Sequence, residues 1–308
     1  MFLENLLIAS KQVGILYVLV AIGFICDKVG IFKEKAAKLS NDLLFYIITP
    51  SVIVQSFLTV ENSKENVKNL LVAGLLGVIL HIIAIGISML LFRKKSDENC
   101  IFKMATAYGN VGYMVLPLSQ AILGDEGVFY CSAIVMVFNI LAFTHGVNIM
   151  SKQAKFQWNK LILNPGTIAI LVGLPFFIFN IKLPEIINIP LDYVASLQTP
   201  LAMIFFGTYL ANTDLKSMFN NKKIYLTALM KLIVIPLIML VLMRLFSVGM
   251  VMMTAILISA SAPSANLTVM FSAKYDKDVG LASKTVALIS FISIITMPII
   301  IAIGQNVN

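Results

Sequence analysis

The sequence predicts an all-α membrane protein: ten transmembrane helices arranged as two inverted five-helix repeats, with broken helices 4 and 9 crossing one another. Three observations carry this expectation. The 308 residues are 59% apolar and only 12% charged, against about 25% charged in soluble domains. The apolar residues fall into runs of roughly the 20 residues that cross a hydrocarbon layer. Short polar and proline-containing motifs recur at matched positions in the two halves. A water-soluble chain of this length has too little interior to hide so much apolar surface.

The runs predict spans at 11–27, 39–58, 68–92, 100–123, 127–150, 164–181, 191–211, 222–246, 249–273 and 278–304. No linker or low-complexity stretch sets off a soluble domain. The first repeat then occupies 1–150, a short cytoplasmic loop 151–163, and the second repeat 164–308. The opening Met1-Phe2-Leu3-Glu4 has no basic n-region and no small-residue cleavage site before span 1, so no removed leader is expected.

The net charge is +8. The cations do not form a nucleic-acid-binding face; they sit in short clusters between apolar runs. The loops after spans 1, 3, 5, 7 and 9 hold Lys28, Lys33, Lys35, Lys38, Arg93, Lys94, Lys95, Lys103, Lys152, Lys155, Lys160, Lys216, Lys222, Lys223, Lys274 and Lys277. The opposite loops hold only Lys11, Lys64, Lys68, Lys182 and Arg244. The positive-inside rule puts the richer side in the cytoplasm of a cell-membrane protein and both termini outside.

Ile48-Thr49-Pro50 in span 2 has a counterpart in Gln198-Thr199-Pro200 of span 7. Gly124-Asp125-Glu126-Gly127 after span 4 corresponds in position to Tyr275-Asp276-Lys277-Asp278 after span 9. Five spans per half is an odd number, so the second half enters the membrane from the opposite face. Inverted repeats of this kind build many secondary transporters, because the halves can exchange conformations around one site.

That site is expected where spans 4 and 9 break. Span 4 contains Tyr108-Gly109-Asn110-Val111-Gly112-Tyr113-Met114-Val115-Leu116-Pro117, and span 9 contains Ser259-Ala260-Ser261-Ala262-Pro263-Ser264-Ala265-Asn266-Leu267-Thr268. Proline removes a backbone donor and glycine costs about 1 kcal/mol relative to alanine in a helix. Unwound backbone at membrane depth survives only where protein or a water-filled cavity satisfies it. A half-helix beginning after such a break presents free N–H groups and a positive dipole end, the chemistry of an anion site. Asn110 and Asn266 can donate amides to a carboxylate. Gly112, Tyr113 and Pro117 shape the first break. Ser261, Pro263, Ser264 and Thr268 shape the second, with hydroxyls available as ligands. Helix packing and bonding to the chain's own backbone are the competing roles for the serines.

Few ionisable residues fall inside spans. Lys231 and His81 are candidates for charge compensation or coupling, with a neutral packing role open for His81. Asp42 and His145 lie close enough to span ends for solvent to reach them. Cys26, Cys100 and Cys131 have neither metal-ligand nor CxxC spacing. There is no GxxxxGK[ST], no HExxH and no Arg-rich helix, so an ATP-driven pump, a metal-dependent enzyme and a voltage sensor are not expected. No cofactor is called for, and the chain reads as a non-enzyme.

At Tyr108–Pro117 and Ser261–Asn266, with Asn164-Pro165 opening span 6 and Thr199-Pro200 in span 7, the sequence resembles the auxin efflux carrier family. The resemblance covers almost the whole chain. It implies a scaffold of helices 1, 2, 6 and 7, a moving transport domain of helices 3–5 and 8–10, and a homodimer through the scaffold. Plant members export the indole carboxylate auxin, and bacterial relatives are associated with malate and other carboxylates. The long cytoplasmic loop of the larger plant exporters is missing; Ser151–Lys160 stands in its place. The expectation is a secondary transporter of a small organic anion, working by alternating access of the elevator type. Two alternatives stay open: a sodium-coupled organic anion symporter resembling the bile acid symporters, and a membrane receptor or sensor that does not transport.

Overall fold

The computed structural model describes residues 2–151, 158–212 and 221–306. Most of the Ser151–Lys160 loop, with Lys152 and Lys155, and also Lys216, lie outside the described residues. The described chain is helical, and its one β feature is an isolated bridge. The helices are α1 (Phe2–Lys28), α2 (Glu34–Leu43), α3 (Thr49–Thr59), α4 (Lys64–Leu91), α5 (Asp97–Ala107), α6 (Leu116–Leu141), α7 (Val147–Met150), α8 (Trp158–Ile162), α9 (Pro165–Ile178) and α10 (Glu185–Ser196). They continue with α11 (Gln198–Ala211), α12 (Lys222–Leu229), α13 (Ile235–Leu245), α14 (Met250–Ser261), α15 (Leu267–Lys274) and α16 (Val279–Asn306).

Among the described residues, six helical stretches are long and apolar enough to cross a membrane: Leu39–Thr59, Lys64–Leu91, Val111–Met150, Glu185–Ala211, Lys222–Leu245 and Val279–Asn306. Pro165–Ile178 and Met250–Ser261 are apolar but shorter. Predicted spans 1, 6 and 9 are not among the six, and spans 4 and 5 share one. Predicted spans 4 and 5 run together in Val111–Met150, and the reversal between them is a single residue, Gly124, with φ 64° and ψ −153°. That backbone region favours glycine, which lacks the Cβ that would collide there. Predicted span 9 is divided into α14 and α15. Predicted span 7 begins earlier than expected, at Glu185.

Among the described residues, four wide π turns interrupt the helices: Leu44–Ile48, Val111–Val115, Ala142–Gly146 and Met230–Val234. Three of them end two residues before a proline: Pro50, Pro117 and Pro236. A proline ring clashes with the carbonyl four residues back and offers it no N–H. Widening the preceding turn lets that carbonyl step aside without ending the helix.

Packing follows small residues. α1 lies against α11, where a Cβ on Gly23 would come within 2.0 Å of the Ile204 carbonyl oxygen and one on Gly207 within 2.0 Å of the Val20 carbonyl oxygen. The two glycines allow main chain to touch main chain, as helices in lipid require. Thr208 Oγ1 donates to the Gly23 carbonyl and Lys28 Nζ to that of Ala211 along the same seam. α3 packs on α9, with Phe57 over Gly173 and against the rings of Phe129 and Phe177. α14 is buried along Met252–Ser261, between α6 and α16, the position of a helix that is apolar all round. At one end of the bundle, Glu98 pairs with Lys223 and Asp97 with Lys277, joining the start of α5 to α12 and to the turn before α16. The Asp97 carboxylate holds the Lys277 ammonium above its ordinary range. On the outside, Leu71, Ile82 and Ile295 stand exposed on α4 and α16, a surface suited to lipid.

Candidate substrate-binding site

The two segments singled out by sequence meet. α5 stops at Ala107 and α14 at Ser261, and both chains turn extended, Tyr108 at φ −117° ψ 115° and Ala262 at φ −59° ψ 141°. They pass each other antiparallel, with Gly109 opposite Ser264. Asn110 N–H donates to the Pro263 carbonyl at 2.8 Å, and Ala265 N–H donates to the Tyr108 carbonyl at 2.9 Å. Ser264 Oγ donates to the Ala105 carbonyl at 2.7 Å. Each break thus satisfies backbone groups that the other leaves unpaired, which the apolar surroundings demand. The Asn110 side-chain oxygen accepts from Tyr113 N–H at 3.3 Å and opens the π turn Val111–Val115. Four helix ends converge here: the C-terminal ends of α5 and α14, and the starts of that π turn and of α15.

A cleft of about 320 Å³ adjoins the crossing. From the crossing itself, Gly109, Asn110, Gly112, Tyr113, Ala265 and Asn266 form its wall. Asn41 and Asp42 of α2, Phe45 and Tyr46 of the next π turn, and Thr49 contribute a second side. Phe138 and Asn139 of α6, with Asn164 before α9, contribute a third. The wall carries five asparagines and several aromatic rings. Asp42 is the charged side chain on it among the described residues.

The amides are anchored. Asn139 Nδ2 donates to Asn164 Oδ1 at 3.2 Å and to Thr167 Oγ1 at 3.1 Å. Asn164 Oδ1 also caps α9 by accepting from the N–H groups of Gly166 and Thr167. Thr49 Oγ1 donates to Gln198 Oε1 at 3.0 Å, and Gln198 Nε2 to the Gly112 carbonyl at 3.2 Å. Thr199 Oγ1 donates to the Pro117 carbonyl at 3.1 Å. The paired Thr-Pro motifs of spans 2 and 7 therefore lie together against the first break.

Behind the crossing, away from the cleft wall, sit the buried ionisable groups. Lys231 is 2% exposed. A Cβ on Gly109 would lie 3.1 Å from its ammonium and 3.5 Å from the Ser259 carbonyl oxygen, so this position has little room for a side chain. The Tyr108 hydroxyl donates to the Leu141 carbonyl at 2.9 Å and lies 2.9 Å from His145 Nδ1. With the hydroxyl proton so used, His145 Nδ1 is the donor in that second contact. His81 Nδ1 lies 2.8 Å from the Gly77 carbonyl, and its ring is 6.0 Å from that of Tyr108. The four described π turns deliver residues to this region: Phe45 and Tyr46, Val111 to Tyr113, Phe143 with His145, and Lys231.

Of the residues expected at the site, Asn110, Gly112, Tyr113 and Asn266 are on the cleft wall. Ser261, Pro263, Ser264, Thr268 and Pro117 are not among its lining residues. Ser261 Oγ is spent on the Leu257 carbonyl of its own helix at 2.6 Å and Ser264 Oγ on Ala105. Pro263 and Pro117 contribute carbonyl acceptors, and the buried Thr268 hydroxyl has no partner. Lys231 and His81 are packed behind the crossing. His145, expected near solvent at a span end, is half-buried and touches Tyr108. Asp42, expected near solvent at a span end, is exposed there and also lines the cleft. Asn41, Tyr46 and Asn139 were missed. An amide in the middle of an apolar run signals Asn139; Tyr46 is one turn beyond Asp42 on the same helical face.

A family model described as "Membrane transport protein" matches this chain twice, at residues 8–157 and 152–301. The chain belongs to this family of membrane transporters, the auxin efflux carrier family. It is similar to an uncharacterized transporter, MJ1031, of Methanocaldococcus jannaschii, with 24% identity over 304 residues, covering 94% of this chain and 97% of that protein. An uncharacterized transporter of Methanothermobacter thermautotrophicus is 23% identical over 298 residues, with the same coverage.

Proposed function

We propose that this family member is a secondary transporter of a small organic anion, a carboxylate such as malate or an auxin-like acid, working by alternating access. The observation that carries the reading is the crossing. Asn110 and Asn266 stand on one cleft wall where four helix ends converge, and the two helix starts among them bring positive dipole ends to the crossing. Lys231, one backbone thickness behind Gly109, brings its amino group close to an anion in the cleft, where a positive charge would attract it.

The same reading takes the fold as ten spans in two inverted five-helix repeats. α1, α2 with α3, α9, and α10 with α11 form a scaffold, and the remaining helices form a transport body that slides along it. Asn139–Asn164, Gln198–Gly112 and Thr199–Pro117 cross between these groups, and an elevator movement breaks them. The cleft residues outside the crossing belong to the half of the bundle bearing the cationic loops. With that half in the cytoplasm and both termini outside the cell membrane, the cleft is inward-open. A homodimer in the lipid bilayer through the scaffold completes the proposal.

A sodium-coupled organic anion symporter is the second reading. Asp42 on the cleft wall favours it, since a carboxylate is a common sodium ligand. A receptor that binds without transporting is the third. Melting of the purified protein against a panel of carboxylates tests binding, because a ligand of the native state stabilises it. Exchange of a labelled hit across liposomes separates a carrier from a receptor. The proposal expects a carboxylate that both stabilises and exchanges, without sodium. Stabilisation without exchange contradicts it.

A further inference from the structure

We propose that Gln198 is a positioning residue that latches the carrier with its cleft open as seen here, and that the shift to the opposite-facing state begins with its release. The inference rests on the alternating-access reading above and deepens it by naming the contact that sets the resting state.

The argument starts from a carbonyl that its own helix cannot satisfy. At the end of the π turn Val111–Val115, the Leu116 N–H donates to the Val111 carbonyl. The next residue, Pro117, has no N–H. The Gly112 carbonyl therefore finds a donor at neither the four-residue nor the five-residue spacing. In apolar surroundings an unpaired carbonyl is costly, so the donor has to come from outside. It comes from Gln198 Nε2 at 3.2 Å. Thr49 Oγ1 donates to Gln198 Oε1 at 3.0 Å, which leaves the amide nitrogen for Gly112. The Gln198 side chain is fully buried. Thr49 and Gln198 belong to the scaffold of the proposed division. Gly112 belongs to the moving body, on the cleft wall beside Asn110.

The two halves differ at this point. The offset that pairs Thr49-Pro50 with Thr199-Pro200 also pairs Ile48 with Gln198. Thr199 Oγ1 donates to the Pro117 carbonyl, and Thr49 carries a hydroxyl able to make the equivalent contact for the other half. Ile48 is buried and has no donor to offer. When inverted halves exchange conformations, each position takes up the surroundings of its counterpart. In the opposite-facing state the threonine contacts can form again, and the glutamine contact cannot. The tie through Gln198 therefore stabilises one state only, the one with the cleft open as it is here.

The latch and the proposed anion ligand share one turn of chain. Asn110 opens the π turn by accepting from Tyr113 N–H, and Gly112 lies between them in sequence. Gln198 acts through that turn and is not itself a ligand. Losing one buried hydrogen bond that is made in a single state shifts the balance between states about tenfold.

The test reads the face of the membrane to which the cleft opens, and it needs no substrate. Met270, exposed on the cleft wall, is replaced by cysteine in a background lacking Cys26, Cys100 and Cys131. An impermeant thiol reagent is applied to intact cells and to inside-out vesicles. This background protein is expected to label mainly from one face. Adding Gln198→Met, which keeps the length of the side chain and removes both polar atoms, is expected to raise the rate of labelling from the other face about tenfold. Thr49→Val, which frees the amide oxygen of Gln198, is expected to act in the same direction by a smaller factor. It decides the matter where Gln198→Met does not fold. Melting of each variant separates a latch from a purely structural bond. A lower melting temperature with an unchanged ratio of labelling from the two faces overturns the inference, and so does labelling from one face alone in every folded variant. A carboxylate panel without a hit counts against the anion site and leaves the labelling result standing.

Discussion

The backbone N–H of Asn110 donates to the carbonyl oxygen of Pro263 at 2.8 Å, and this bond holds together two chain breaks from opposite halves of the molecule. Pro263 has no N–H of its own to continue α14, and Gly109 has no Cβ to keep the other strand at a distance. Each residue that spoils its own helix permits the approach that satisfies the partner break. The pairing is a physical reason for finding the two weak segments at corresponding positions in the two halves.

Lys231 separates a structural role from an electrostatic one. Its ammonium is buried beside Gly109, and replacing a buried charge with an apolar side chain of similar shape is often neutral or stabilising. Lys231→Met is expected to keep the parental melting temperature or exceed it. Its affinity for a carboxylate is expected to fall about tenfold or more, the loss of one nearby opposite charge at intermediate dielectric. Melting and ligand titration on the same preparation check both. A variant that binds the anion normally removes Lys231 from the site.

Gly207 faces Val20 with no space for a methyl group. Gly207→Ala is expected to force α1 and α11 apart and to destabilise the protein by about 1–3 kcal/mol, the usual cost of overpacking. Gly86, where an added Cβ meets nothing within 4 Å, is the control position, and Gly86→Ala is expected to leave the melting temperature within error or raise it. Similar melting of the two variants contradicts the close contact between α1 and α11.

Much of this arrangement is readable from residue types. Gly109, Pro263 and their neighbours announce breaks because they are poor helix residues wherever they stand. Asn110 and Asn266 announce polar business because an amide among apolar residues needs a partner. The serines misled for a complementary reason. A hydroxyl can always turn back to its own helix, as Ser261 does onto Leu257, and sequence cannot tell that choice from a ligand contact. Asp42 and Asn139 depend on which face of a helix is turned to the cleft. π turns set that angle, and the i-to-i+4 rhythm of an ordinary helix does not reveal them. The reversal at Gly124 was legible as a polar turn, but its reduction to a single residue was not, because Asp125 and Glu126 remain helical.

Orientation is open to direct labelling. Lys95→Cys and Lys182→Cys, each in a background lacking Cys26, Cys100 and Cys131, report on opposite ends of the bundle. An impermeant thiol reagent applied to intact cells is expected to label position 182 readily and position 95 only after the membrane is opened. The reverse pattern inverts the topology and makes the cleft outward-open.

The central claim is that the crossing binds a carboxylate through Asn110 and Asn266. Asn266→Asp tests it most directly, because the side chain keeps its shape while an amide donor becomes an acceptor that can carry negative charge. Losing one charge-assisted hydrogen bond costs about 1.5–3 kcal/mol, and repulsion adds to it. The decisive measurement is exchange of a labelled carboxylate by liposomes holding parental, Asn266→Ala or Asn266→Asp protein, each shown to be folded by its melting. Exchange weakened by alanine and abolished by aspartate is the expected result. A folded Asn266→Asp protein that exchanges at the parental rate contradicts an anion site at the crossing.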